Sequence, residues 1–179
     1  MTSYFATGQD LERVLVGCLE TFLQSVAGHG AVLAARESGD SATLELRLVD
    51  PDATLSVDFI AGRVAAEAAE APDVEIEMGA NDLHDVLLER MGPVQISQLY
   101  ETDRLRFRGS AQHLAALIVL AAPLAPCYRE TLTRDGRQDL LDIPAPPASF
   151  EWGSPDDPIK RVIGRRRPWQ RPKRSAQAV

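Results

Sequence analysis

The chain has 179 residues, of which 45% are hydrophobic and 25% charged, a composition typical of one soluble globular domain with a sizeable core. No apolar run reaches the roughly 20 residues of a membrane-spanning helix, and the N-terminus lacks the layout of a secretory signal. We therefore expect a cytoplasmic protein. Cys18 and Cys127 lack metal-ligand spacing, so we expect two buried free thiols. The net charge of −7 is divided unevenly, because residues 1–158 carry −15 and residues 159–179 carry +8 with no acidic side chain.

The first predicted element is an amphipathic helix that begins near residue 8. Thr7 and Asp10 stand three residues apart, as in a helix-capping box, and Gly28 is expected to end the helix. Its apolar residues recur at helical spacing and form one continuous stripe: Leu11, Val14, Leu15, Cys18, Leu19, Phe22, Leu23 and Val26.

Strands follow this helix. Alternating segments at residues 43–49 and 54–59, separated by a proline turn, predict a hairpin. Residues 31–37 are predicted as a further strand, whereas residues 63–70 fit either a strand or a helix. In the first hairpin strand, Leu44, Leu46 and Leu48 are expected to face the core, and Thr43, Glu45 and Arg47 to face solvent.

The second half of the domain alternates strands and helices. The patterns predict a strand at residues 74–78, a helix at 81–91, a strand at 104–108 and a last helix from 110 to about 122. Residues 94–101 fit a short helix or an extended segment. Helices grouped beside a mostly antiparallel sheet define an α+β fold.

The composition changes after residue 133. Proline and turn dipeptides dominate residues 143–158, and the basic tail follows. We therefore predict an α+β domain over residues 1–133 and an irregular or disordered segment over residues 134–179.

The last predicted helix is apolar on every face. Such a helix has two apolar surfaces to cover. One surface can lie on the sheet, and the other needs a partner protein, more core or an apolar ligand.

An ordered set of motifs resembles the sterol-carrier-protein type 2 family of sterol-binding domains. Asp73 opens a strand, Asp82 and Leu83 begin a helix, and a Gly92-Pro93 step follows it. The strand of residues 104–108 then alternates arginines with apolar residues before a glycine and a helix with regularly spaced alanines and leucines. The resemblance departs where residues 89–90 and 101–103 stand in place of the family's usual glycines, in the segment that forms the ligand entrance in that family.

The resemblance implies a mostly antiparallel five-stranded sheet, covered on one face by helices, with an apolar cavity between the two. It implies a non-catalytic protein that binds or carries an apolar small molecule, such as a lipid, a sterol-like terpenoid or a quinone precursor, without a cofactor. The expected lining residues are Leu87, Met91, Val94, Ile96, Leu99, Phe107, Leu117, Leu120 and Leu124.

Two alternatives to this interpretation stay open. The same side chains could simply fill a core. The fold could also serve as an accessory or scaffold protein that docks onto biosynthetic enzymes through its apolar helical face. The sequence contains no recognised catalytic motif and no metal-binding motif, and each histidine is interpreted as a surface residue.

Two basic features of the sequence each have more than one interpretation. Arg104, Arg106 and Arg108 could grip an anionic head group, but pairing with Glu75 and Glu77 on the neighbouring strand is the favoured interpretation. Residues 159–179 could contact an anionic membrane, a partner protein or the acidic body of the chain. The acidic body argues against extended contact with nucleic acid.

Overall fold

The computed structural model describes residues 3–38 and 43–145, and side chains are described for all of these except residues 34–38 and 111–121. Helices and strands alternate along the chain in an α+β arrangement, as predicted. In chain order the elements are α1 (Gly8–Gln24), α2 (Val26–Ser38), β1 (Thr43–Val49), β2 (Ala53–Asp58), β3 (Arg63–Ala65), β4 (Val74–Gly79), α3 (Ala80–Leu87), α4 (Pro93–Glu101), β5 (Leu105–Arg108), α5 (Ala111–Arg134) and α6 (Gln138–Leu141).

The five strands form one sheet in the order β3-β2-β1-β4-β5. Only β1 and β4 run parallel, and the other three neighbouring pairs are antiparallel. The prediction of a mostly antiparallel five-stranded sheet is therefore confirmed. In the register, Leu46 lies beside Ile76, and Ile76 lies opposite Phe107, so these apolar side chains share the inner face of the sheet.

One hydrophobic core lies between the inner face of the sheet and the helices. The helix α1 contacts β2 and β3, α3 contacts β4, and α4 contacts β5, while α5 packs against α1, α3 and α6. The predicted stripe of α1 supplies five buried side chains to this core: Leu11, Val14, Leu15, Cys18 and Phe22. Thr7 caps α1 as predicted, because its hydroxyl accepts a hydrogen bond from the Asp10 N–H at 3.1 Å.

The region after α1 differs from the prediction. Residues 31–37 lie in the helix α2 rather than in a strand, because this alanine-containing segment lacks the strict alternation of a half-buried strand. The helix α1 ends at Gln24, before the predicted stop. The Ser25 hydroxyl donates to the Phe22 carbonyl at 2.6 Å and accepts from the Gly28 N–H at 3.1 Å, so it joins the two helices. Gly28 permits this approach, since a Cβ there would lie 2.0 Å from the Phe22 carbonyl oxygen.

The last long helix is longer than predicted. The helix α5 continues through Pro123 and Pro126 to Arg134 instead of ending near residue 122. A proline inside a helix costs about 3 kcal/mol, but burial of Tyr128 and Leu132, both 0% exposed, contributes about 1.5–3 kcal/mol per large apolar side chain. Packing of the second half of the helix therefore offsets the lost hydrogen bonds.

Packed structure extends past the predicted boundary at residue 133. Leu140 of α6 is fully buried in the core, and Leu141 and Ile143 pack against it. The prediction for residues 146–179 concerns a segment that lies outside the described residues. Residues 94–101, for which helix and extended structure were both open, lie in α4. Pro93 stands in its first turn, and the Gly92 N–H donates to the Gln95 side-chain oxygen at 2.7 Å.

The outer face of the sheet contains one unexpected burial. Glu45 was predicted to face solvent, but it is 0% exposed. Its carboxylate accepts hydrogen bonds from the Arg47 guanidinium and from the Ala69 backbone N–H, the latter at 2.8 Å. The connection between β3 and β4 therefore crosses the outer face at this point, which strand alternation alone does not reveal.

Candidate ligand site

The nine predicted lining residues occupy different environments. Leu87 and Leu99 are buried in the core, and Met91 and Leu124 are partly buried against it. Ile96 and Phe107 are half-buried, whereas Val94 is 71% exposed. Leu117 and Leu120 lie in the part of α5 whose side chains are outside the described set. The assignment of these nine residues to one cavity therefore stays a prediction.

Three apolar side chains at the β4–β5 side of the sheet are less covered than those at its centre, although Val74 and Met78 of β4 are buried. Leu46, Leu48 and Leu55 on β1 and β2 are buried. On the same inner face, Ile76, Leu105 and Phe107 are only half-buried, and we call these three residues the apolar strip.

Sequence reasoning identified only Phe107 of the apolar strip as a lining residue. The alternation of apolar and charged residues along β4 and β5 indicates that Ile76 and Leu105 lie on the same face as Phe107. The helix α4 contacts β5 and therefore borders the strip. It points the buried Leu99 and the half-buried Ile96 inward, while its Val94 is exposed.

Two surface depressions occur elsewhere among the residues that the structure describes, and charged side chains line both. One, of about 390 Å³, lies at the start of α3 and the edge of β5, with Asp50, Asp82, Asp103 and Arg104 in its wall. The other, of about 800 Å³, lies between α1 and the end of α5. Neither depression is lined by any of the nine predicted residues, so neither provides the predicted apolar cavity.

The arginines of the β5 region are paired with carboxylates. Arg106 bonds Glu77 at 2.7 Å and Arg108 bonds Glu75 at 3.0 Å across the β4–β5 register, so the favoured pairing is confirmed. Arg104 bonds the buried Asp82 at 2.6 Å instead. Burial raises the pKa of Asp82, and the charge of Arg104 and its hydrogen bond act in the opposite direction. These partners leave the three arginines engaged in ion pairs.

A buried polar cluster joins the N-terminal segment, α3, α5 and α6. The His84 Nδ1 lies 2.8 Å from the Tyr128 hydroxyl, and the rings of Tyr4 and Phe5 meet the imidazole edge-on. Burial, and then the nearby charge of Arg90, lowers the pKa of His84 to about 4. His84 is 1% exposed, so its prediction as a surface histidine is wrong. This neutral, enclosed pair fixes α3 on α5.

Among the side chains that the structure describes, the remaining titratable candidates form no site for metal or nucleophilic chemistry. Both cysteines are free and buried, as predicted, and burial raises the pKa of Cys18 to about 12 and also raises that of Cys127. Buried thiols of raised pKa are poor nucleophiles. His29 is exposed, and the side chain of His113 is outside the described set. Within the described ranges, no group of three or more histidine, cysteine or acidic side chains could hold a metal ion.

Within residues 3–38 and 43–145, no helix is both long enough and apolar enough to cross a membrane.

Several solved structures with a similar arrangement are sterol carrier protein 2 structures. The apo form of sterol carrier protein 2 from Yarrowia lipolytica matches with a TM-score of 0.48 and 10% identity, over 62% of this chain and 89% of that one. A UbiJ-SCP2 ubiquinone synthesis protein matches with a TM-score of 0.46 and 20% identity, over 64% and 95% of the two chains. Sterol carrier protein-2 like-3 from Aedes aegypti matches with a TM-score of 0.40 and 15% identity, over 59% and 91%.

No protein-family model and no curated protein matches the chain. The domain is an α+β domain with a five-stranded mixed sheet and helices packed on its inner face. In structure, as in the sequence motifs, the chain is similar to sterol-carrier-protein type 2 domains. At these identities the likeness concerns the fold.

Proposed function

We propose that this protein binds or carries an apolar small molecule, such as a lipid, a sterol-like terpenoid or a quinone precursor, without a chemical reaction. The observation that carries the proposal is the apolar strip, Ile76, Leu105 and Phe107, which is half-buried on the inner face of the sheet beside α4. The motif resemblance described under the sequence analysis supports a ligand on this face of the sheet.

Burial of apolar surface would supply the affinity. A ligand that covers roughly 300 Å² of apolar surface gains about 7 kcal/mol at 25 cal/mol per Å², before the cost of ordering the ligand is subtracted. Because Arg106 and Arg108 of β5 are already paired with carboxylates, the protein recognises the apolar body of the ligand rather than an anionic head group. A ligand of this kind needs no cofactor, and we place the protein in the cytoplasm as part of the same proposal.

Extraction of the full-length protein under denaturing conditions, followed by lipid mass spectrometry, tests for a bound ligand. One apolar species at near-equal stoichiometry is the expected result. A fluorescent fatty-acid probe provides a second test on protein stripped of ligand. An empty protein that also fails to bind the probe contradicts the proposal.

Two neighbouring residues of β5 provide a matched pair of variants for the probe assay. Phe107→Asn places an amide in the apolar strip, whereas Arg106→Asn changes the outer face of the same strand. We expect Phe107→Asn to weaken probe binding at least about tenfold, since it removes apolar contact worth more than 1.4 kcal/mol. Arg106→Asn should bind the probe as the wild type does. Equal binding by both variants would argue against the strip as the site.

Exposed apolar side chains favour a second candidate function. Val26 and Leu33 on α2 are 92% and 57% exposed and, seven residues apart, lie on the same side of the helix. A contiguous apolar patch at the surface marks a protein interface. Under this alternative the protein is an accessory or scaffold protein that docks onto biosynthetic enzymes. Pull-down of the full chain from its native cell would then yield a stoichiometric complex, and Val26→Gln with Leu33→Gln would abolish it.

A further inference from the structure

The arginines of the domain are already engaged by carboxylates. The two lysines of the chain stand at positions 160 and 173, so arginine is the permanent cation of the described residues. Nine arginines in this part of the chain form ion pairs with aspartate or glutamate. Residues 1–158 together carry −15. An anionic ligand is therefore repelled by the domain as a whole, and most of the cations that could attract it are in use.

The arginine beside the apolar strip is held by a buried carboxylate. Arg104 directly precedes Leu105 of the strip, and its guanidinium bonds Asp82 at 2.6 Å, where the Asp82 side chain is only 8% exposed. An anionic head group that drew Arg104 away would leave a buried carboxylate without its partner, which is strongly unfavourable. Arg106 and Arg108 alternate with the strip residues of β5 and therefore lie on the opposite face of the sheet, paired with glutamates.

The helix α4, which contacts β5, offers a neutral polar group instead. Residues 91–100 contain no charged side chain. Gln98 is half-buried and precedes the buried Leu99, so it lies about 100° around the helix from it, at the margin of the covered side. Its side-chain amide has no hydrogen-bond partner among the described side chains, whereas the Gln95 amide oxygen accepts from the Gly92 N–H. An amide both donates and accepts, so it matches a hydroxyl or a carbonyl group.

We propose that the site on the apolar strip takes an uncharged ligand with a hydroxyl or carbonyl group, and that the Gln98 amide binds this group at the margin of α4. An ionised carboxylate or phosphate gives up its hydration there without gaining an unpaired arginine. A hydroxyl or carbonyl only exchanges hydrogen bonds to water for hydrogen bonds to the amide. This inference rests on the proposed function, because it names the ligand class of the same site.

Three fluorescent probes with the same tetraene chain test the charge preference on full-length protein stripped of ligand. They are parinaric acid, the corresponding alcohol and the corresponding hydrocarbon, titrated below their aggregation limits at about pH 8 so that the free acid is ionised. We expect the alcohol to bind at least about tenfold more tightly than the acid, or about 1.4 kcal/mol. The acid still binds, since its chain supplies the apolar contact. An acid that binds as tightly as the alcohol overturns the inference and leaves the proposed function standing.

The variant Gln98→Leu tests the polar contact. It should weaken binding of the alcohol about fivefold and leave the hydrocarbon bound as tightly as in the wild type, a difference that a merely structural role would not produce. Ser97→Ala, on the exposed side of the same helix, is the control and should bind all three probes normally. Circular dichroism verifies the fold of each variant. Unchanged binding of the alcohol by Gln98→Leu, or an equal loss for alcohol and hydrocarbon, overturns the role of Gln98.

The natural ligand provides an independent test. Denaturing extraction of the full-length protein should yield a species that is uncharged at neutral pH. A fatty acid or an anionic phospholipid at near-equal stoichiometry would overturn the inference while supporting the proposed function. Absence of binding by all three probes, together with an empty extract, refutes the proposed function and this inference with it.

Discussion

Replacement of His84 by asparagine should change the way in which stability depends on pH. In the wild type, His84 Nδ1 lies 2.8 Å from the Tyr128 hydroxyl inside the core. Burial and the charge of Arg90 lower its pKa from 6.5 to about 4. Asparagine can still form a hydrogen bond to the tyrosine hydroxyl, but it has no group that titrates in this range.

The sign of the effect follows from proton linkage. Between pH 6.5 and pH 4 the unfolded chain binds a proton at His84 that the folded chain does not bind, so the free energy of unfolding falls as the pH falls. The shift from 6.5 to about 4 corresponds to about 3 kcal/mol over this window. Burial raises the pKa of Asp82 and Asp85, which acts in the opposite direction. Because both carboxyls are present in both proteins, their contribution cancels in the difference between wild type and variant.

Urea unfolding at several pH values between 7 and 4.5 measures this difference. The wild type should lose about 2–3 kcal/mol more than His84→Asn over this range, even if the variant is less stable at pH 7. His29→Asn, at an exposed histidine of α2, serves as the control and should retain the wild-type slope. Parallel pH profiles for the wild type and His84→Asn would refute the assignment of the acid sensitivity to this buried imidazole.

Two further substitutions test the packing of the sheet by thermal and urea unfolding. Gly109 has φ of +154°, and a Cβ there would lie 2.9 Å from the ring of Phe107, so Gly109→Ala should lower the free energy of unfolding by about 1–3 kcal/mol. The control Gly30→Ala, in a helix with open space around it, should be neutral or stabilising. Equal effects of the two substitutions would contradict this account. Glu45→Ala removes a fully buried carboxylate and leaves its backbone donor unpaired, at a cost of about 2 kcal/mol. Glu77→Ala, at an exposed pair on the same face, should cost less than about 1 kcal/mol, and a cost at Glu45 no larger than at Glu77 would show that the burial contributes nothing.

Local patterns predicted those elements whose periodicity is clear. The stripe of α1 and the alternation of β1, β2, β4 and β5 depend on side chains within one element, and these elements occur as expected. The β5 arginines were also paired correctly with Glu75 and Glu77, because strand alternation decides which side chains share a face. In contrast, residues 31–37 lack a strong period, and propensity within α2 decided their structure.

The candidate site was predicted less completely. Of the predicted lining residues, Phe107 and Ile96 are half-buried and Leu87 and Leu99 are buried, and the assignment of all nine to one ligand cavity stays a prediction. An apolar residue in a core and one beside a ligand have the same pattern along the chain. Only the elements packed above each residue distinguish them. Ile76 and Leu105 become candidate lining residues only in the structure, which shows that both are incompletely covered at the β4–β5 side of the sheet.

The sequence by itself determined the α+β class, the acidic body with its basic tail and the face on which each strand residue lies, because these properties follow from local periodicity and from charge. The tertiary structure alone decided that His84 and Glu45 are buried and that α5 passes through two prolines to Arg134. The physical reason is that burial depends on contacts between segments far apart in the chain. His84 is covered by Phe5 and Tyr128, and Glu45 is covered by the segment that contains Ala69.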